Sequence, residues 1–338
     1  MRAYAGIDLH SSNNYVGIID EKDKRLYGKR IRNELNRVLA ALQPFKERLE
    51  AVVVESTYNW YWLVDGLQAH GYKVHLANPS AVKQYEGLKH TDDKWDAFWL
   101  AHMQRLGILP EGYIYPKAQR AVRDLLRRRL LFVRHRTSNI LSLQSMITRN
   151  LGSKMSGNAV KKLKEADAQK LFACSHLAFM AKNHIAAVVF LNGIIKGIEK
   201  RVKSQVKLRK EFEMLLTMVG IGDILGLTIM LEVGTINRFE SVGDYSSYCR
   251  CVKSERMTNG KKKGENNQKN GNKYLAWAYV EAANFMKRHS VAAQRFYQRK
   301  KAQRNGIVAI KALSNKICRA SYYIMRDQVA FDSQKLFG

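Results

Sequence analysis

The sequence predicts an α/β plus all-α protein: a mixed-sheet domain at the N-terminus, a long-helix coiled-coil domain, and a mainly helical C-terminal domain. Three observations predict this. Short alternating strand patterns with polar turns fill the first third of the chain. Long 3.6-residue periodicities fill the rest. Charge divides at the same place: residues 1–115 hold 15 Lys and Arg against 14 Asp and Glu, a net +1, whereas residues 116–338 carry a net +28 of the +29 total. The domain boundaries expected are therefore 1–115, 116–215 and 216–338.

Residues 2–9 alternate as a strand, Asn13-Asn14 turns, Tyr15–Asp20 is a second strand, and Arg25–Arg30 a third after the turn at Glu21–Lys24. This is a meander. Asn33 is placed to cap a helix reaching about Leu49, which Pro44 ends or kinks. Ala51–Val54 reads as a buried strand ending in Glu55, Trp60–His70 as a helix, Lys73–Ala77 as a strand and Pro79–Tyr85 as a short helix. The next helix opens in Lys89-His90-Thr91-Asp92-Asp93-Lys94-Trp95-Asp96-Ala97 and runs to about Gly107. Asp93 and Asp96, three apart, share one face of it. Two carboxylates so placed repel unless a cation lies between them, and hard divalent ions take oxygen ligands. The plainer explanation for Asp92 and Asp93 is the positive end of a helix dipole.

The order βββαβαβα is that of the ribonuclease H-like fold. In its RuvC-like branch four carboxylates converge at the ends of adjacent central strands. Asp8 (in Gly6-Ile7-Asp8-Leu9-His10), Glu55 (in Val53-Val54-Glu55-Ser56-Thr57), Asp93 and Asp96 stand at the matching places. They are the candidate ligands for Mg²⁺ (or Mn²⁺). Two such ions about 4 Å apart clamp the attacking and leaving oxygens of a phosphodiester. Taken singly, Asp8 reads equally as a turn residue and Glu55 as a helix cap.

Beyond a Gly- and Pro-marked linker at Leu106–Pro116, Ala118–Asn150 reads as one long helix, with Val122, Leu125, Leu126, Leu130 and Val133 on one face and arginines, among them Arg127, Arg128 and Arg129, on the others. Ala159–Phe172 and His184–Leu215 read as further helices, the two long ones pairing as an antiparallel coiled coil. So few acids intervene among the arginines that a phosphate-tracking surface fits better than a solvated face. A net charge of this size calls for a polyanion, and nucleic acid is the natural one. Gly220-Ile221-Gly222 between helices looks like a helix-hairpin-helix turn, whose amides at the second helix meet a phosphate. Ser254–Leu275 is polar, glycine-rich and basic, with Lys261, Lys262, Lys263, Lys269 and Lys273. It reads as a surface loop that orders on nucleic acid, before a helix from Lys273 to about His289. The four cysteines form no Cys-x-x-Cys pair, so neither a disulfide framework nor a zinc site is expected. No run looks long enough to span a bilayer and no signal segment is evident. The expected location is the cytoplasm, at the nucleoid.

The pattern Asp8…Glu55…Asp93-x-x-Asp96-Ala97, the Gly220-x-Gly222 hairpin and the Asn259-Gly260…Lys269-Asn270-Gly271-Asn272-Lys273-Tyr274-Leu275 segment together resemble the insertion-sequence transposases of the IS110 class, also called bridge recombinases. The resemblance implies an RuvC-like Asp-Glu-Asp-Asp domain, a coiled-coil domain that makes a homodimer or homotetramer, and a C-terminal transposase domain carrying a serine nucleophile. That serine would attack the DNA strand in a site completed by a partner subunit. The resemblance further implies double-stranded donor and target DNA, and a non-coding bridge RNA that pairs with both. At the serine's place this chain has Thr258, whose β-methyl crowds the hydroxyl and restricts χ1; Ser254 is the alternative nucleophile. Two other functions fit the same residues. One is a metal-dependent RuvC-like nuclease or junction resolvase that uses water. The other is a catalytically impaired relative that only binds nucleic acid.

Overall fold

The structure is a computed structural model and describes residues 1–82, 92–253, 256–264 and 270–338. The chain divides into two compact units, Met1–Lys117 and Ala118–Gly338.

The first unit is built on a six-stranded mixed sheet: β1 (Ala3–Leu9), β2 (Asn13–Asp20), β3 (Arg25–Arg32), β4 (Leu49–Glu55), β5 (Val74–Ala77) and β6 (Glu111–Gly112), in the order β3-β2-β1-β4-β5-β6. β1 to β3 form the antiparallel meander, β4 and β5 run parallel to β1, and β6 returns antiparallel to β5. The last strand replaces part of the expected linker; at two residues it is too short to show alternation. The helices are α1 (Leu35–Leu42), α2 (Tyr61–Ala69), α3 (Pro79–Val82) and α4 (Asp93–Arg105). Pro44 does end α1, as a 3₁₀ turn over Gln43–Arg48. Asn33 is not its cap. Its side chain instead donates to His10 O at 2.9 Å and accepts from Asn14, tying the β1–β2 turn to the end of β3.

One face of the sheet, with Ile7, Leu9, Val52, Val54 and Leu76, packs against α1 and α2. α4 covers the other face, and a row of glycines seats it there. Gly6, Gly17 and Gly28 are cross-strand partners on β1, β2 and β3. A Cβ at Gly6 would lie 2.0 Å from Ala97 O, and Cβ atoms at Gly17 and Gly28 would meet the Phe98 ring at 3.0 and 2.9 Å. The bare backbone thus lets α4 lie directly on the strands, and interior packing tolerates no extra methyl there.

In the second unit α5 (Lys117–Leu151) and α8 (Ser175–Gln205) are the two long helices, separated by α6 (Gly157–Val160) and α7 (Asp167–Leu171). Arg129 meets Glu199, Arg136 meets Asn192, and Ser142 and Asn139 meet His184. The falling partner numbers make the pair antiparallel. Ile140, Leu143 and Ile147 share an apolar cluster with Ala181, Ile185 and Val188. α8 starts nine residues earlier than the periodicity suggests and stops at Gln205. By length and composition it is also apolar enough to cross a bilayer, which corrects the expectation that no segment is.

The remaining helices are α9 (Lys210–Glu213), α10 (Asp223–Val233), α11 (Val242–Tyr248), α12 (Lys273–His289), α13 (Val291–Gln303), α14 (Gly306–Asp327) and α15 (Ser333–Phe337). They gather around Phe212, Ile229, Tyr245, Tyr279, Leu313 and Ile317. α12 has its expected bounds, with Asn272 accepting from Tyr274 N and Leu275 N. The expected loop is not all loop. β7 (Arg256–Thr258) and β8 (Lys261–Gly264) form an antiparallel hairpin, and Asn259 and Gly260 at its turn both have positive φ, 49° and 70°. That is the chemistry of a type I′ turn.

Candidate active site

Asp8 lies near the end of β1 and Glu55 ends β4, one residue beyond the paired couple Ile7–Val54 of these parallel neighbours. Asp93 and Asp96 form the first turn of α4, capped by the Asp92 side chain, which accepts from Trp95 N at 2.7 Å. The two explanations for this acidic stretch therefore divide between residues: Asp92 serves the helix terminus, while Asp93 and Asp96 face the strand ends. Three short elements, each held by packing elsewhere, bring the carboxylates together.

Asp8 is buried at 3% exposure, a costly place for a carboxylate without a partner. His10 supplies one. Its Nε2 lies 3.2 Å from Asp8 Oδ2 and 3.1 Å from Asp93 Oδ1. Arg30, reaching from β3, places a guanidinium nitrogen 2.6 Å from the other Asp93 oxygen. Burial lowers the His10 pKa, but the bond to Asp93 and the charges of Asp8, Asp93 and Glu55 outweigh it, and the imidazole is held above its ordinary value. The Asp93 carboxyl is driven up by burial and further down by His10 and Arg30, and ends below its usual range. Glu55 goes the other way. Burial, the hydrogen bond with Asp8 and the charges of Asp8 and Asp96 push it up to about 8. Burial disfavours the charged form of Glu55 first, and the neighbouring carboxylates add to it. Asp8, His10 and Asp93 offer ligand atoms within 4.8 Å of one another, and oxygen-rich donors suit a hard divalent ion.

Among the described residues of the second unit, Thr258 is exposed and sits one residue before the hairpin turn, opposite Lys261. Ser254 and Lys269 lie outside the described residues. Lys261, Lys262, Lys263 and Lys273 are exposed. Gly220 (φ 98°) would drive a Cβ to 2.5 Å from Ala282 O, so it serves a close approach to α12, whereas Gly222 faces open space at the N-terminus of α10. Of the arginines on α5, Arg128 is exposed. Arg129 pairs with Glu199 at 2.5 Å. Arg127 is bound bidentately to Glu232 at 2.6 and 2.8 Å.

Sequence reasoning missed the group around Glu232. This side chain is 2% exposed and also accepts from Arg123 at 3.1 Å and Asn272 Nδ2 at 2.7 Å. Burial would raise its pKa, yet Arg127, Arg123 and Asn272 together hold it below the ordinary value. The cluster joins α5, α10 and the N-cap of α12, fourteen residues along the chain from Thr258. A lone Glu in the apolar run Leu227–Val233 was the available signal, since a buried carboxylate must find cations.

Two family models match the chain. The DEDD-type IS110 transposase model covers residues 5–150, and the model of the IS116/IS110/IS902 transposase family covers residues 212–298. A search of curated proteins found no match. Fold and matches define a transposase, an enzyme that acts on DNA. The chain belongs to the IS110 family of transposases.

Proposed function

We propose that this transposase is a site-specific recombinase with an RNase H-like, RuvC-like first unit, and that Asp8, Glu55, Asp93 and Asp96 are its metal ligands. The observation that carries the proposal is the convergence of these carboxylates, with Glu55 raised to about 8 by burial and then by Asp8 and Asp96. Mg²⁺ or Mn²⁺ held there supplies Lewis-acid stabilisation of charge on the scissile phosphate. The protein's part is to fix the ligands. β1 and β4 set Asp8 and Glu55 side by side, and the glycine row sets the height of α4 above them. Thr258, on the exposed hairpin, is the proposed nucleophile, with Ser254 as its alternative. Attack by its hydroxyl forms a threonine–phosphorus bond as the phosphorus–oxygen bond to one deoxyribose breaks; the hydroxyl's proton is balanced by the one the departing sugar oxygen takes up, and the strand that keeps the phosphate is left joined to the protein. Exposed Arg128, Lys261, Lys262, Lys263 and Lys273, with Lys269, then track phosphates, as do the amides at Gly220 and Gly222.

The strongly basic remainder fits a bridge RNA as well as donor and target DNA. α8 presents Phe179, Val189 and Phe190 to solvent at 66%, 52% and 68% exposure. Such a face fits self-association into a homodimer or homotetramer. The place of action is the cytoplasm, at the nucleoid.

The test is a nicked suicide DNA substrate with Mg²⁺, carrying the element's ends, together with RNA co-purified from cells that hold its flanking DNA. A covalent protein–DNA adduct that Asp8→Asn abolishes, with binding intact, is the expected result. Cleavage without an adduct would instead make the chain a hydrolytic nuclease. Activity unaffected by Asp8→Asn would remove the metal site from the mechanism. Only scattered host RNA in the purified protein would rule out the guide.

A further inference from the structure

Both oxygens of Asp93 are already engaged. Oδ1 lies 3.1 Å from His10 Nε2, which also reaches Asp8 Oδ2 at 3.2 Å, and Oδ2 lies 2.6 Å from the Arg30 guanidinium. The imidazole and the guanidinium therefore stand where a divalent ion would draw the same oxygens. They are held unequally. His10 is fixed from behind by its own backbone, whose carbonyl accepts from Asn33 and Asn59 at 2.9 Å each. Arg30 is 58% exposed on β3, at the sheet edge, and its other contact is a 3.4 Å bond to Asn13. An ion pair this exposed contributes little and can be exchanged.

We infer that Arg30 is the site's resident counter-cation, displaced from Asp93 when a divalent ion binds and thereby released to hold a phosphate of the DNA. This rests on the metal-site proposal above. A carboxylate oxygen cannot serve a guanidinium at 2.6 Å and a metal equally, so the ion competes with Arg30 for Asp93. Once freed, the guanidinium remains on the rim of the carboxylate cluster. Its planar fork of donors matches a phosphate, and the phosphate that meets the metal is the nearest one available. Arg30 would thus neutralise the site before metal arrives and position the substrate afterwards.

Calorimetric titration of the full chain with Mn²⁺, without nucleic acid, separates the claims. Arg30→Gln should bind Mn²⁺ about threefold to tenfold more tightly than wild type, because a competitor and a repelling charge are gone. Unchanged or weaker binding would overturn the inference. Should the wild type itself bind no Mn²⁺, the metal-site proposal fails first. The second half is read by fluorescence anisotropy with a labelled DNA duplex, comparing Ca²⁺ with chelator within each protein. The gain in affinity on adding Ca²⁺ should be smaller in Arg30→Gln; an equal gain would mean that Arg30 takes no phosphate. Thermal melting of the variant confirms that this exposed edge-strand change leaves the fold intact.

Discussion

Glu55 is the residue whose surroundings say most about the first unit. Its carboxyl is pushed from 4.5 up to about 8 by burial and by Asp8 and Asp96. A group raised in the folded state contributes stability that is complete below its unfolded pKa and is lost as pH rises through the folded one. Without metal the protein should therefore become steadily less stable between pH 4.5 and about 8. Chemical denaturation at pH 6 and pH 9 checks this: the midpoint should fall at pH 9, and Glu55→Gln should flatten the difference. Added Mg²⁺ should restore it, since the ion takes the deprotonated form and its binding strengthens as the pH rises. Thr258 carries a second prediction at this scale. Its β-methyl restricts approach to phosphorus, so Thr258→Ser should raise the rate of adduct formation roughly tenfold. No change would mean either that the threonine is fully competent or that the nucleophile lies elsewhere, and Thr258→Ala beside Ser254→Ala separates the two by which variant abolishes the adduct. The carboxylates were legible in the sequence because each ends a strand or opens a helix, and those ends carry local signatures. His10 and Arg30 were not, because bonds from the end of β1 and from β3 to the first turn of α4 have no sequence pattern of their own.

At the scale of elements, the seat of α4 is the feature to perturb. Its register depends on bare backbone at Gly6, where an added methyl would fall 2.0 Å from Ala97 O. Gly6→Ala must lift the helix, at a cost of roughly 1–3 kcal/mol, and should carry Asp93 and Asp96 away from Asp8. Mn²⁺ affinity should fall with it. Gly17→Ala, whose nearest contact would be the Phe98 ring at 3.0 Å rather than backbone, should be milder on both counts; equal losses would show that the glycine row does not set the site. The eleven-residue spacing of Gly6, Gly17 and Gly28 is visible in the sequence, but its meaning appears only once strand register aligns them. The Asn259-Gly260 turn is a similar case. Its signal is strong, yet the Lys-rich flanks lack the apolar alternation that marks strands, so the segment reads as loop. The opposite holds for α12, where Asn272 caps a regular apolar period and both helix ends follow directly from the sequence.

At the scale of the whole molecule, the arginines that make the chain so basic are not all on its surface. Buried Arg123 and half-buried Arg127 hold Glu232 in the second unit, and Arg120 is buried at 4% exposure. Composition alone cannot tell a buried guanidinium from an exposed one, so the arginines of α5 read alike in the sequence. Removing the carboxylate takes away the anion that Arg123 and Arg127 share. Glu232→Ala should cost about 3–5 kcal/mol, a fall in Tm of roughly 6–20 °C for a unit of this size. Glu232→Gln, which keeps the shape and one acceptor oxygen, should cost less. The site's position makes the loss more than global. Asn272, the third partner of Glu232, caps α12 fourteen residues along the chain from Thr258. If Glu232 anchors the hairpin that bears Thr258, Glu232→Gln should slow adduct formation at a temperature where the fold is intact, while leaving Mn²⁺ binding by the first unit unchanged. A variant that melts early yet forms adduct at the wild-type rate below its Tm would confine Glu232 to stability.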